Sequence, residues 1–182
     1  LNGSITARNE TSSAGGTIRV AGGVITVADA ALDASGNVGG GTILLGAKSG
    51  GPDGPTSILT VSSGSELMAD ALQSGNGGSV LLWSEAYTDF AGRISAVGRD
   101  TGDGGTAEVS SAGVLRFRGS VDLRSADGNP GSLLLDPDTI SIVDNPADAD
   151  INGDDPGEED LTSEDQLDDR IVDFTDKDSI IS

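Results

Sequence analysis

Gly77-Gly78-Ser79-Val80-Leu81-Leu82 and Gly104-Gly105-Thr106-Ala107-Glu108-Val109 are two copies of one motif, paired glycines followed by four residues whose apolar members fall two apart. The same motif occurs as Gly15-Gly16-Thr17-Ile18-Arg19-Val20 and Gly40-Gly41-Thr42-Ile43-Leu44-Leu45. An apolar period of two marks a strand with one buried face. Recurrence of such strands at a fixed spacing marks a solenoid, in which each repeat is a coil stacked on the next.

A second element lies between copies of the first. It reads Leu1-Asn2-Gly3-Ser4-Ile5-Thr6-Ala7, Phe90-Ala91-Gly92-Arg93-Ile94-Ser95-Ala96 and Phe117-Arg118-Gly119-Ser120-Val121-Asp122-Leu123, with degenerate forms at Leu32-Asp33-Ala34 and Leu67-Met68-Ala69. Counting fixes the register. Ile18 to Leu32, Val80 to Ile94 and Ala107 to Val121 are each 14 positions, and the return steps Ile5 to Ile18, Leu67 to Val80 and Ile94 to Ala107 are each 13. Leu32 to Ile43 is 11 and Val121 to Leu133 is 12. Ile43 to Leu67 is 24, which places a 10-residue insertion after Leu45. That insertion holds Gly50-Gly51-Pro52-Asp53-Gly54-Pro55, so residues 47–56 are expected to leave the coil as a loop. Ile18, Ile43, Val80, Ala107 and Leu133 are expected to stack in one column.

The composition fits a narrow coil. Hydrophobic residues make up 35% and aromatics 3% of the 182 residues, thin for a globular core but suited to an interior of Val, Ile, Leu and Ala. The chain reads as all-β over residues 1–145, with a distinct tail, 146–182, formed by an acidic loop and a short helix and leading into any further repeats. The formal charge of -20 repels phosphate backbones and anionic membranes, which argues against nucleic acid as a partner. Cysteine and histidine are both absent, excluding disulfides, thiolate nucleophiles and imidazole catalysis but not carboxylate chemistry. No 18-residue apolar run suggests membrane insertion. The chain opens inside a repeat, which suggests that further coils preceded Leu1 in a longer parent.

With the register established, the run from Gly77 to Glu85 through Thr88-Asp89-Phe90-Ala91-Gly92-Arg93-Ile94-Ser95-Ala96 resembles the repeat region of filamentous-haemagglutinin-like exoproteins of the two-partner secretion type. The stretches Gly105 to Ser110 and Gly131-Ser132-Leu133-Leu134-Leu135-Asp136-Pro137-Asp138-Thr139-Ile140 resemble it too. The resemblance implies a right-handed parallel β-helix on a large secreted protein of the bacterial cell surface, exported through an outer-membrane pore transporter. The family's amino-terminal secretion domain, with its asparagine-containing motifs, is missing, so this segment would lie downstream of it.

Four groups of residues are candidates for chemistry or binding. Asp136 and Asp138 flank Pro137 and read either as a carboxylate pair, as in polysaccharide-cleaving enzymes of β-helical fold, or as the turn out of the last coil. Trp83, Tyr87 and Phe90 form the aromatic cluster; Trp83 follows the inward Leu82 and so points outward, where Trp83 and Tyr87 either stack on sugar rings or cover a corner. The run Asp148-Ala149-Asp150-Ile151-Asn152-Gly153 with Glu159 has the spacing of a calcium loop, whose ligands would be Asp148, Asp150, Asn152, the Asp154 carbonyl and Glu159. No helix pattern precedes it and Pro156 takes the ninth position, so a solvated acidic loop is the competing reading. Finally, Ser163-Glu164-Asp165-Gln166 is a capping box, and Leu167, Ile171 and Phe174 share one face of a short amphipathic helix from about Glu164 to Asp173.

These readings point to a structural and adhesive segment, a stiff rod that displays loops toward a host-cell or neighbouring-cell surface, with no active site of its own. The alternatives are a polysaccharide-processing β-helix enzyme and a stalk presenting a toxin domain.

Overall fold

The computed structural model describes residues 1–139. They form thirteen strands and no helix. The first turn is β1 (Gly3–Thr6), β2 (Thr17–Val20) and β3 (Val24–Val27), and the second is β4 (Ala30–Asp33), β5 (Thr42–Leu45) and β6 (Ile58–Val61). The third is β7 (Glu66–Met68), β8 (Ser79–Ser84) and β9 (Tyr87–Phe90). The fourth is β10 (Arg93–Ser95) and the long β11 (Thr106–Phe117), and the described chain ends with β12 (Ser120–Asp122) and β13 (Ser132–Thr139). Every strand pairs parallel with its counterpart one turn away, so the chain is a β-solenoid of about five turns.

Each turn contributes to three faces. The first face runs β1-β4-β7-β10-β12, the second β2-β5-β8-β11-β13, and the third β3-β6-β9-β11. β11 belongs to two faces because it runs through the corner that separate strands make in earlier turns, pairing with β8 over Thr106–Ser111 and with β9 over Val114–Phe117. The expected column holds throughout: Ile18 pairs with Ile43, Ile43 with Val80, Val80 with Ala107, and Ala107 with Leu133. The second element stacks likewise as Ile5, Leu32, Leu67, Ile94 and Val121.

The third face is the part that the two-element reading omits. Phe90 and Phe117, read as the start of the second element, are the last inward residues of third-face strands. Each turn therefore has three strands where the spacing suggested two, and Phe90 lies in the core and not in a surface aromatic cluster. Inward residues of the three faces (Leu32, Leu45, Leu59, Leu67, Leu82, Ile94 and Val109 among them) are fully buried in one continuous core. Full burial of each Leu or Ile side chain contributes about 1.5–3 kcal/mol.

The paired glycines close the corner between the first and second faces. The second glycine donates its N–H to the carbonyl that ends the preceding first-face strand: Gly41 to Ala34 at 2.8 Å, Gly78 to Ala69 at 2.7 Å and Gly105 to Ala96 at 2.8 Å. Those same carbonyls stand beneath the first glycine of the turn before. A Cβ on Gly15, Gly40, Gly77 or Gly104 would lie 1.8 to 2.0 Å from the carbonyl oxygen of Ala34, Ala69, Ala96 or Leu123. The motif thus needs glycine for close approach of backbone to backbone, one turn on the next.

Candidate functional site

The outer side of the second face is built from the residues between the buried ones. Thr17, Thr42, Ser79, Thr106 and Ser132 are successive register partners and form a column of hydroxyl side chains, at the sheet repeat of about 4.8 Å. The Thr106 hydroxyl donates to that of Ser79 at 3.2 Å. Beside it runs the column Arg19, Leu44, Leu81, Glu108 and Leu134. Ser79, Leu81, Thr106, Glu108, Ser132 and Leu134 line a shallow hollow of about 210 Å³.

The insertion borders this face. Its ends are pinned to the coil wall: the Thr56 N–H donates to the Ala47 carbonyl at 2.8 Å, the Ala47 N–H to the Thr56 hydroxyl at 3.1 Å, and that hydroxyl to the Gly22 carbonyl at 2.7 Å. Ala47 and Thr56 are therefore buried, and it is Lys48 to Pro55 that stand outside the coil. This loop lies back along the second face. Arg19 Nε donates to the Asp53 carboxylate at 3.0 Å, the Ser49 N–H donates to Glu85 Oε1 at 2.8 Å, and Lys48 Nζ sits 3.8 Å from the Trp83 ring centroid.

The partners of the loop are themselves held. Between β8 and β9 the buried Ser84 and Thr88 hydroxyls are 2.7 Å apart, Ser84 also donates to the Ser111 hydroxyl at 3.2 Å, and Thr88 to the Ser110 carbonyl at 3.0 Å. This network fixes the turn bearing Glu85, whose N–H donates to Thr56 at 2.7 Å. Such satisfied polar groups in an apolar coil specify one register, because any slip would leave them unpaired.

Trp83 is half-buried on β8, outside the coil as alternation predicted, with Lys48 over its ring and its indole N–H enclosed and without an acceptor among the described residues. Tyr87 is placed on the third face. There it joins Val24, Ile58 and Val114 in a column of register partners, of which Val24 and Val114 are 66% and 60% exposed. Trp83 and Tyr87 therefore belong to different faces. Nothing in the spacing of single residues marked the apolar column, although Val24, Ile58 and Tyr87 each open a strand and Val114 opens the third-face part of β11.

Charged side chains link turn to turn. Arg8 pairs with Asp33, Arg118 with Asp89 and Arg93 with Asp122, each across one turn, while Arg124 pairs with Asp122 within its own turn. Hydrogen bonds from Arg124 hold the Asp122 carboxyl down at about 2, against the opposing effect of burial, with Arg93 adding to the shift. For Asp33, burial acts to raise the pKa, but hydrogen bonds from Ser35 and the nearby Arg8 guanidinium outweigh it and leave it lowered.

Asp136 is exposed on β13, in register with Ser110; Asp138 lies two positions further along the same strand. Among the described residues no three acidic side chains converge as ligands for a cation. The calcium-loop residues Asp148, Asp150, Asn152, Asp154 and Glu159, and the Glu164–Asp173 segment, lie outside the described residues. No protein-family model matches the chain, and neither does any curated protein.

Proposed function

We propose that this chain is a structural and adhesive segment of a large secreted bacterial surface protein, a rod of right-handed coils that carries contact loops away from the cell. The observation that carries the reading is the column from Ile18 to Leu133 running through five stacked turns, with the Lys48–Pro55 loop anchored at its neck and tied along one face. Rigidity of this kind suits display: a solenoid presents a loop at a fixed place without needing a catalytic cleft. The resemblance to filamentous-haemagglutinin-like exoproteins supports the same setting, with export through an outer-membrane pore and a host-cell or neighbouring-cell component as partner.

The test is binding of the purified chain to intact cells and to immobilised surface glycans. A variant with Lys48–Pro55 replaced by a short neutral turn should lose most of its binding while keeping its melting temperature. Equal binding by the two proteins would remove the loop from the contact surface, and no binding by either would remove the adhesive role. Within this reading the Asp148–Glu159 run would take Ca²⁺ at an extracellular affinity of roughly 0.1–1 mM. Calcium should then raise the melting temperature of the native chain but not of Asp150→Ala.

A further inference from the structure

The first turn carries two Asn-x-Ser/Thr triplets, Asn2-Gly3-Ser4 and Asn9-Glu10-Thr11, the acceptor pattern for attachment of sugar to an asparagine amide. The structure treats them differently. At Asn9 the chain bends, so that the Thr11 N–H and the Thr11 hydroxyl both donate to Asn9 Oδ1, at 3.0 and 2.7 Å. The bend is held from the next turn. Asn37 Nδ2 donates to the Glu10 and Thr11 carbonyls at 2.6 and 2.7 Å, the Asn37 N–H to the Asn9 carbonyl at 2.9 Å, and the Asn9 N–H to Ser35 at 2.9 Å. Asn9 Nδ2 donates to no acceptor among the described residues, and Glu10 to Ala14 are all exposed. The Asn2 triplet enters β1 at Gly3, whose φ of 96° is one that glycine favours, and the strand that follows is paired with β4. Among the described residues no hydrogen bond joins Ser4 to the Asn2 side chain, so this triplet lacks the donors that Thr11 gives Asn9.

We propose that Asn9 is a glycosylation site, modified in the folded chain by a transferase that uses a diphosphate-activated sugar, and that Asn2 is not. An amide nitrogen is a poor nucleophile because its lone pair is delocalised into the carbonyl. Two donors to Oδ1 acidify the Nδ2 protons, which eases the loss of one as the new bond forms, and they leave Nδ2 without an acceptor among the described residues. In the transfer, the bond between the sugar C1 and the phosphate oxygen breaks with its electron pair leaving on the diphosphate. A C1–Nδ2 bond forms, and one amide proton passes to a base of the transferase. The donor is a glycosyl diphosphate, carried either on a nucleoside or on a lipid.

The experiment incubates the full folded chain with each donor class and a matching asparagine transferase, nucleotide sugar in one arm and lipid-linked sugar in the other. Peptide mass spectrometry then locates the product. The expected result is a glycosyl mass on the Asn9 peptide in at least one arm, which identifies the donor, with the Asn2 peptide unmodified. Thr11→Ser should retain the modification and Thr11→Ala should lose it, each with a native circular dichroism spectrum. If Asn9 of the folded chain stays unmodified under conditions that glycosylate a free peptide of the same sequence, or if Asn2 is modified equally, the proposal is overturned. The assay reads acceptor geometry alone, so its result is separable from that of the cell-binding test.

Discussion

Phe90 and Phe117 are register partners in consecutive turns and stack within the coil, their ring centroids 5.4 Å apart and their planes 21° from parallel. The Phe90 ring also occupies space beneath Gly119, where a Cβ would lie 2.3 Å from Cε1. Phe90 is fully buried and Phe117, one turn nearer the end of the described chain, is only partly so. Phe90→Ala should therefore cost about 3–5 kcal/mol in urea denaturation and Phe117→Ala clearly less. Equal losses would mean that the two rings share one environment, contrary to their burial.

The corner glycines give a sharper contrast. Gly77→Ala would press a methyl into the Ala96 carbonyl, a backbone atom that cannot move without shifting the turn. A loss of about 3 kcal/mol or more is expected. Gly23, in the short link between β2 and β3, has nothing within 4 Å of its Cβ position, and Gly23→Ala should change stability by no more than about 1 kcal/mol. Thermal denaturation of the pair checks both.

Trp83 is the chain's only tryptophan, so its fluorescence reports on the loop above it. Lys48→Ala removes the cation over the ring and should alter the emission spectrum while costing about 0.5–1 kcal/mol at most. Asp53→Ala should change the same spectrum indirectly, by releasing the loop from Arg19. An unchanged spectrum in both variants would show that the loop leaves the indole in solution.

The acid limb of stability should depend on Asp122. Its folded pKa, about 2, lies below the ordinary 3.8, so the carboxylate form is favoured by folding. Its contribution is full above about pH 4 and is lost as pH falls toward 2. Asp33, shifted in the same direction, acts in the same sense. Asp122→Asn should flatten the fall in melting temperature between pH 4 and pH 2, and a fall as steep as in the native chain would assign the acid sensitivity elsewhere.

The stacking of Ile18, Ile43, Val80, Ala107 and Leu133 was legible because a glycine pair marks the same corner in four turns, Pro130-Gly131 marks it in the fifth, and alternation sets the phase of the strand after it. The third face was harder to see. Val24-Ile25-Thr26-Val27 and Ile58-Leu59-Thr60-Val61 carry apolar residues on both sides of the strand, so alternation alone does not separate inward from outward. Those misleading outward residues, Val24 and Ile58, are members of the exposed column with Tyr87 and Val114. The loop contacts had no local signature at all. Lys48 meets Trp83, and Arg19 meets Asp53, across turns whose separation is set by the fold and not by any short motif.

The fit of carbonyl under glycine also governs how such a chain can grow or shrink. From Gly77 to Gly104 one corner follows the next at the 27-residue interval that also separates Ser79 from Thr106, and from Gly105 to Gly131 the step is 26. Duplication or excision of one such unit rejoins a corner to a corner and a buried column to itself. A gain or loss of a single residue inside a strand turns every later side chain of that strand to the opposite side. Length is therefore free to vary in whole steps, while additions of other sizes are confined to the corners, as the Lys48–Pro55 excursion is.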